Sequence, residues 1–518
     1  MGEAGPDMNI DTFFRHWSIA ENPFKAEEAR DDQVYARIME GDQPVHPEFE
    51  KIHGSPDHPS TAVVFGEKGA GKTAIRLLME KRLRDWNEAN PERKAWVVRY
   101  DDLNPLLDRV QRFVDLRGVR KGGGSAVRLA DHQDHLLSLV VTHLVDLACG
   151  ADRHESAGRT RRALRQMSVQ QRLDLAQMIA LYDQPAKGSV LSRWSRMRRL
   201  LGVGSVFTLR FLLVVSLLLF AITLGGGAAI LSGAAAPGLG GVGGRGSFYI
   251  GEGVAAMLFL ITFCTWVGRW FSASRWVRKI EREVRAVDRV PGQLLAKFGQ
   301  LCMRDLATQP MPVPGDQDSR YDLTARLVRV LGELGYTSLI VLVDRVDEPA
   351  SIQGDPQKMK ALVWPMLHNK FLQQERIGFK FLLPIELGYL VDKEDAAFYQ
   401  QARLDKQNLV KRLEWTGATL YDVCTRRLQS CQKADAKAPL RLADLFAEDV
   451  KPQDLVEALD QMHQPRDAFK FLYQVIQEHC RNIPDETPVF RVAKSVLDQV
   501  RRRQSQRVQE LQRGFAPA

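Results

Sequence analysis

The pattern of apolar and polar positions resolves the chain into a few strongly marked elements. Thr61 to Phe65 is a short continuous apolar run that predicts a buried strand. It leads directly into Gly66-Glu67-Lys68-Gly69-Ala70-Gly71-Lys72-Thr73 and then AIRLLMEKRLRDW, whose apolar residues recur at helical spacing. Lys94 to Tyr100 alternates and is β-rich, predicting a second strand that delivers Asp101 and Asp102 to its C-terminal end. Lys121 to Ser125 reads as a flexible loop. Helical spacing then predicts a helix from Asp131 to Cys149 and an Arg-rich helical stretch from Glu155 to Leu181.

The pattern changes abruptly at Phe211 to Leu231, which is 21 residues without a charge and long enough to cross a hydrocarbon core as a helix. A Gly/Ala-rich connector, Ser232 to Ser247, follows. Phe248 to Val267 is a second candidate span, weakened near its start by Glu252 and two glycines. A buried hairpin of core helices is the alternative reading, disfavoured because uncharged runs of this length are rare in soluble folds. Farther on, Arg275 to Asp305 predicts a long amphipathic helix and Arg320 to Leu334 another. Ser338 to Val343 and Phe379 to Leu383 predict buried strands, and Leu413 to Trp415 a short one. Thr419 to Arg513 reads as mostly helical, with a basic tail at Arg501, Arg502 and Arg503.

Composition adds bounds. With 518 residues, 45% hydrophobic, 26% charged and a mean hydropathy of -0.24, the chain is neither a polytopic transporter nor a disordered or collagen-like polymer. The net charge of +9 is concentrated: Lys187 to Arg210 contributes +6 and Arg269 to Arg289 contributes +4. Positive flanks on both candidate spans predict that both face the cytoplasm and that the connector lies outside, the topology of a hairpin anchor in a cell (inner) membrane. Trp194, Trp266, Trp270 and Trp276 suit interfacial positions. The six cysteines have no paired spacing and are expected to be reduced, and the N-terminus has no apolar segment of a signal peptide.

The octet Gly66 to Thr73 fits G-x-x-x-x-G-K-[ST] in the strand-loop-helix context that motif requires. Glycines let backbone N–H groups turn onto phosphates, Lys72 would reach the β- and γ-phosphates, and Thr73 would ligate magnesium. Asp344, ending the Ser338 to Val343 strand, is the candidate second metal residue. Asp347 and Glu348 are candidates for orienting and deprotonating a water, Glu348 favoured slightly, with helix or turn capping as the alternative. In additional-strand P-loop ATPases a strand lies between those bearing the two motifs, and Phe379 to Pro384 is its candidate. Glu386 just beyond it is more readily structural than a sensor. Arg466, in His463-Gln464-Pro465-Arg466-Asp467, is placed to open a lid helix and reach a γ-phosphate, or equally to be a solvated helix-start residue. Arg403 is a less favoured arginine finger.

The chain resembles P-loop NTPases of the additional-strand class, and the KAP family in particular, whose members carry transmembrane segments inside the NTPase domain; here the hairpin lies between Gly66–Thr73 and Asp344. Arg345 stands where KAP-like proteins tend to have a second Asp. The Asp344-x-x-Asp347-Glu348 pattern is closer to STAND signalling ATPases, and Glu21-Asn22-Pro23-Phe24 is similar to the start of secretion-associated and origin-recognition AAA+ ATPases. The resemblance implies an α/β fold with a mostly parallel sheet, flanking helices, an inserted hairpin and a C-terminal helical lid. The expected division is 1–186, 187–290, 291–418 and 419–518. It also implies a membrane-tethered ATPase using ATP and Mg2+ that organises or switches partners, by self-association or through a protein partner, as relatives do in signalling and phage defence. No guanine-reading Asn-Lys-x-Asp motif is apparent. The alternatives are an ATP-regulated DNA-binding protein, motivated by the basic tail, and a nucleotide-binding scaffold without turnover.

Overall fold

The computed structural model describes residues 8–25, 29–41, 46–116, 127–150, 155–186, 188–204, 208–231, 242–288, 290–301, 309–314, 318–434, 436 and 438–512. The expected loop at Lys121 to Ser125, Lys187 and Arg289 of the basic flanks, most of the connector, and Cys302 lie outside them. The chain divides into two units, one comprising Met1–Asp102 with Ser338–Ala518 and the other Leu103–Thr337. The helical region after Asp102, which the sequence-based division placed with residues 1–102, belongs to the unit carrying the hairpin.

The first unit is built on a five-stranded all-parallel sheet of order β2-β3-β4-β1-β5. The strands are β1 (Ala62–Gly66), β2 (Lys94–Tyr100), β3 (Tyr336–Val343), β4 (Ile377–Pro384) and β5 (Asn408–Val410). Their places follow from their side chains. β1 and β4 are buried throughout, as strands covered on both faces must be, whereas β2 mixes buried and exposed positions and takes an edge. β4 pairs with β1 on one side and β3 on the other, so the strand expected between them lies there. The expected strand at Leu413 to Trp415 is replaced by β5 a few residues earlier; Leu413 and Trp415 are instead buried side chains beyond its end. Register places Gly66 beside Pro384 and Val343 beside Phe381, bringing the ends of β1, β3 and β4 to one sheet edge.

Beyond the sheet, helices Gly417–Cys431 and Pro465–Arg481 form a core with the N-terminal helix Ile10–His16 through Phe13, Phe14, Leu420, Leu428, Phe471 and Val475. The C-terminal helical region thus packs with the start of the chain.

The second unit is helical among its described residues outside the first two positions of β3. The Arg-rich stretch is two helices, Glu155–Gln166 and Val169–Tyr182, because Ser168 caps the second through the Gln171 N–H. Helix Leu209–Leu231, and the part Tyr249–Glu283 of helix Val242–Glu283, are long and apolar enough to cross a membrane. They pack together, with Phe220 and Phe259 ring centroids 5.3 Å apart, while Leu217, Leu218, Ile222, Leu258 and Leu260 are exposed. That exposure is opposite to what a buried core hairpin would show. The second helix runs unbroken through the expected boundary at Val267, since no proline interrupts it, and ends at Glu283 rather than Asp305. Beyond the apolar part its Ala273, Val277 and Ile280 are buried and Arg275, Arg278, Lys279 and Arg282 exposed. Trp194 is fully buried, its Nε1 donating to Gln300 Oε1 at 2.9 Å, so it is a core residue and not an interfacial one. Five cysteines, Cys149, Cys264, Cys424, Cys431 and Cys480, are unbridged, all but Cys264 buried.

Candidate functional site

The apolar strand β1 drives the chain to the sheet edge and stops at Gly66, where a loop turns it into helix Lys72–Ala89. Two positions of that loop have left-handed backbone, Gly69 at φ +103° and Gly71 at φ +89°. At Gly69 a Cβ would also lie 2.9 Å from the Arg466 Cβ, so glycine is required for both conformation and space. The helix begins at Lys72 with no side-chain cap, leaving first-turn N–H groups and the positive end of the helix dipole directed at the loop.

Lys72 folds back into the loop, its Nζ donating to Gly66 O at 2.7 Å and Glu67 O at 2.9 Å. Burial pulls its pKa down, opposed by the charges of Asp347, Asp344 and Glu386, while Arg466 adds to the lowering. Thr73 Oγ1 donates to Asp344 Oδ2 at 3.1 Å, bridging the loop helix to the end of β3. Asp344 is 1% exposed. Burial pushes its carboxyl pKa up, and Arg76, the Thr73 hydroxyl and the Arg345 N–H act in the opposite direction.

A cavity of about 200 Å3 opens over these groups, lined by Lys68, Lys72, Thr73, Asp344, Asp347 and Arg466. Tyr35, Ile38, Val423 and Phe469 are also among its lining residues. Asp347 is half-buried and is the foremost negative charge acting on Lys72. Glu348 also lines the cavity but is exposed and ion-paired with Arg345. Glu386 is exposed in the first turn of the helix after β4, within electrostatic reach of Lys72. Arg403 does not line this cavity; it lies 3.5 Å from Asp405.

Sequence reasoning missed several contributors. Trp415 Nε1 donates to Ala70 O at 2.8 Å and braces the loop from beneath. Arg427, 2% exposed, donates to Pro23 O at 2.6 Å, pairs with Asp32 at 2.6 Å and lies over the Phe469 ring, tying the N-terminal segment to both C-terminal helices. Nothing in their local pattern marks these residues, since each meets partners hundreds of positions away.

Thr73 and Asp344 are adjacent oxygen donors, suited to a hard divalent cation that completes its shell with water and substrate oxygens. Among the described residues no three His, Cys, Asp or Glu side chains converge as a metal centre. Comparison with known proteins matched no family model, no curated protein and no solved structure.

Proposed function

We propose that the chain is a P-loop ATPase of the additional-strand class, similar in organisation to KAP and STAND proteins, anchored in a membrane by its helical hairpin and acting as a molecular switch. The observation that carries the nucleotide reading is the Thr73–Asp344 bond. It joins the helix behind a glycine loop to an acid on a strand one place removed in the sheet, where a phosphate-bound cation needs its two protein oxygens. In this reading the loop N–H groups and the helix N-terminus receive the phosphates. Lys72 exchanges the Gly66 and Glu67 carbonyls for phosphate oxygens, and Arg466 adds positive charge from above Gly69. Thr73 and Asp344 would hold magnesium, which would supply neutralisation of phosphate charge when bound. Asp347 orients and accepts a proton from the attacking water. Tyr35, Ile38, Val423 and Phe469, which also line the cavity, offer apolar surface for a planar base.

Support for the membrane anchor is the exposure of two apolar helices whose flanks carry the chain's basic excess. The nucleotide reading is tested by titrating labelled ATP into the full chain. Lys72→Ala is expected to weaken binding at least about tenfold, through loss of a charge-assisted phosphate contact. Equal affinity of variant and wild type would overturn it.

A further inference from the structure

Arg76 lies in the second turn of helix Lys72–Ala89, only 2% exposed, and is surrounded by three carboxylates. Its Nε donates to Asp344 Oδ2 at 3.1 Å, the same oxygen that accepts from Thr73. Its Nη1 lies 3.3 Å from Asp101 Oδ2, at the end of β2, and pairs with Glu80 one turn along its own helix. Asp101 and Glu80 have other cationic neighbours in Arg30 and Arg99, but those side chains are half or more exposed and therefore screened. Arg76 is thus the buried cation at the acid proposed to hold a metal. It has two further acceptors ready if Asp344 is taken from it. A buried guanidinium with one partner would be stranded by that loss; one with three is not.

We propose that Arg76 is the resident counter-cation of this site. It neutralises and holds Asp344 in the nucleotide-free state, then shifts its bonding onto Asp101 and Glu80 when a divalent cation arrives with the nucleotide. The inference rests on the nucleotide reading for the identity of the carrier. Its consequence is that the empty site disfavours free divalent cations, since a fixed positive charge already occupies the oxygen they need. Phosphate negative charge tips the exchange, so metal and nucleotide enter together.

The test uses Mn2+ as the probe, followed by electron paramagnetic resonance in nucleotide-free full-length protein. Arg76→Met is expected to bind Mn2+ at least about fivefold tighter than wild type, with Arg76→Lys behaving as wild type. Adding Asp344→Asn to Arg76→Met is expected to remove the gain. A folded Arg76→Met protein with unchanged Mn2+ affinity overturns the proposal. If that variant does not fold, Glu80→Gln, which strengthens the hold of Arg76 on Asp344, is expected to require several-fold more Mn2+ to support ATP binding; no change there overturns it equally. A wild type that binds no ATP sinks the nucleotide reading and leaves the Mn2+ comparison to decide the role of Arg76.

Discussion

Lys380 has its amino group at the centre of a sheet, a costly place to keep a charge. It is 1% exposed on the middle strand β4, and its Nζ donates to Ser60 O at 2.7 Å. Burial pulls its pKa down to about 7, and its charge, with that of Arg82 and a larger effect of burial, helps to hold nearby His53 down to about 4. Between about pH 7 and the ordinary lysine value of 10.5 the unfolded chain therefore carries a proton at this position that the folded chain has released. The contribution of this group makes stability rise with pH across that window, and below it the penalty of burying the charge is constant. Thermal unfolding of the full chain is expected to show a rising midpoint from pH 7 to 9 that Lys380→Met flattens. Parallel pH curves for the two proteins would contradict the assignment. The sequence disclosed β4 as a buried strand but not where this lysine's amino group ends, because its polar partner, Ser60 O, lies 320 residues away. The glycine loop was legible residue by residue, since left-handed turns at Gly69 and Gly71 are a local requirement.

Helices of the second unit meet around ion pairs rather than apolar contacts alone. Asp134, fully buried on helix Leu129–Cys149, accepts from Arg320 Nε at 3.0 Å, Arg320 Nη2 at 2.9 Å and the Tyr182 hydroxyl at 2.8 Å. One turn earlier Asp131 pairs with Arg285, and Glu283, the last residue of the long helix Val242–Glu283, lies 3.7 Å from Arg320. The cytoplasm-proposed end of the hairpin is thereby fastened to two other helices. Arg320→Met leaves Asp134 as a buried charge with only a hydroxyl donor and is expected to cost about 3–5 kcal/mol in thermal unfolding. The double variant Arg320→Met with Asp134→Leu is expected to recover much of it. A loss below about 1 kcal/mol for the single variant would show that the pair is dispensable. Helix existence was readable here from apolar spacing. Partners were not: Asp131 and Asp134 meet Arg285 and Arg320, far away in the chain.

For the molecule as a whole, the topology proposal has a direct readout. A cysteine introduced at Gly240 is expected to react with an impermeant maleimide on intact cells, and one introduced at Gln512 only after permeabilisation, each measured above the wild-type background. The protein is expected to resist extraction by alkaline carbonate. Equal labelling of both positions before permeabilisation would remove the hairpin topology. What the sequence by itself determined was local: the strand-loop-helix at Gly66 to Thr73, the uncharged run at Phe211 to Leu231, the buried strands, and Asp344 at the end of one of them. Periodicity, length and glycine placement follow from short-range backbone geometry, and are therefore visible along the chain. Tertiary structure alone decided that Arg76 meets Asp344 and Asp101, that Trp415 donates to Ala70, and that the charge of Asp347 acts on Lys72. Most of these contacts join residues brought together only when parallel strands far apart in sequence align their ends, and no local pattern encodes that alignment.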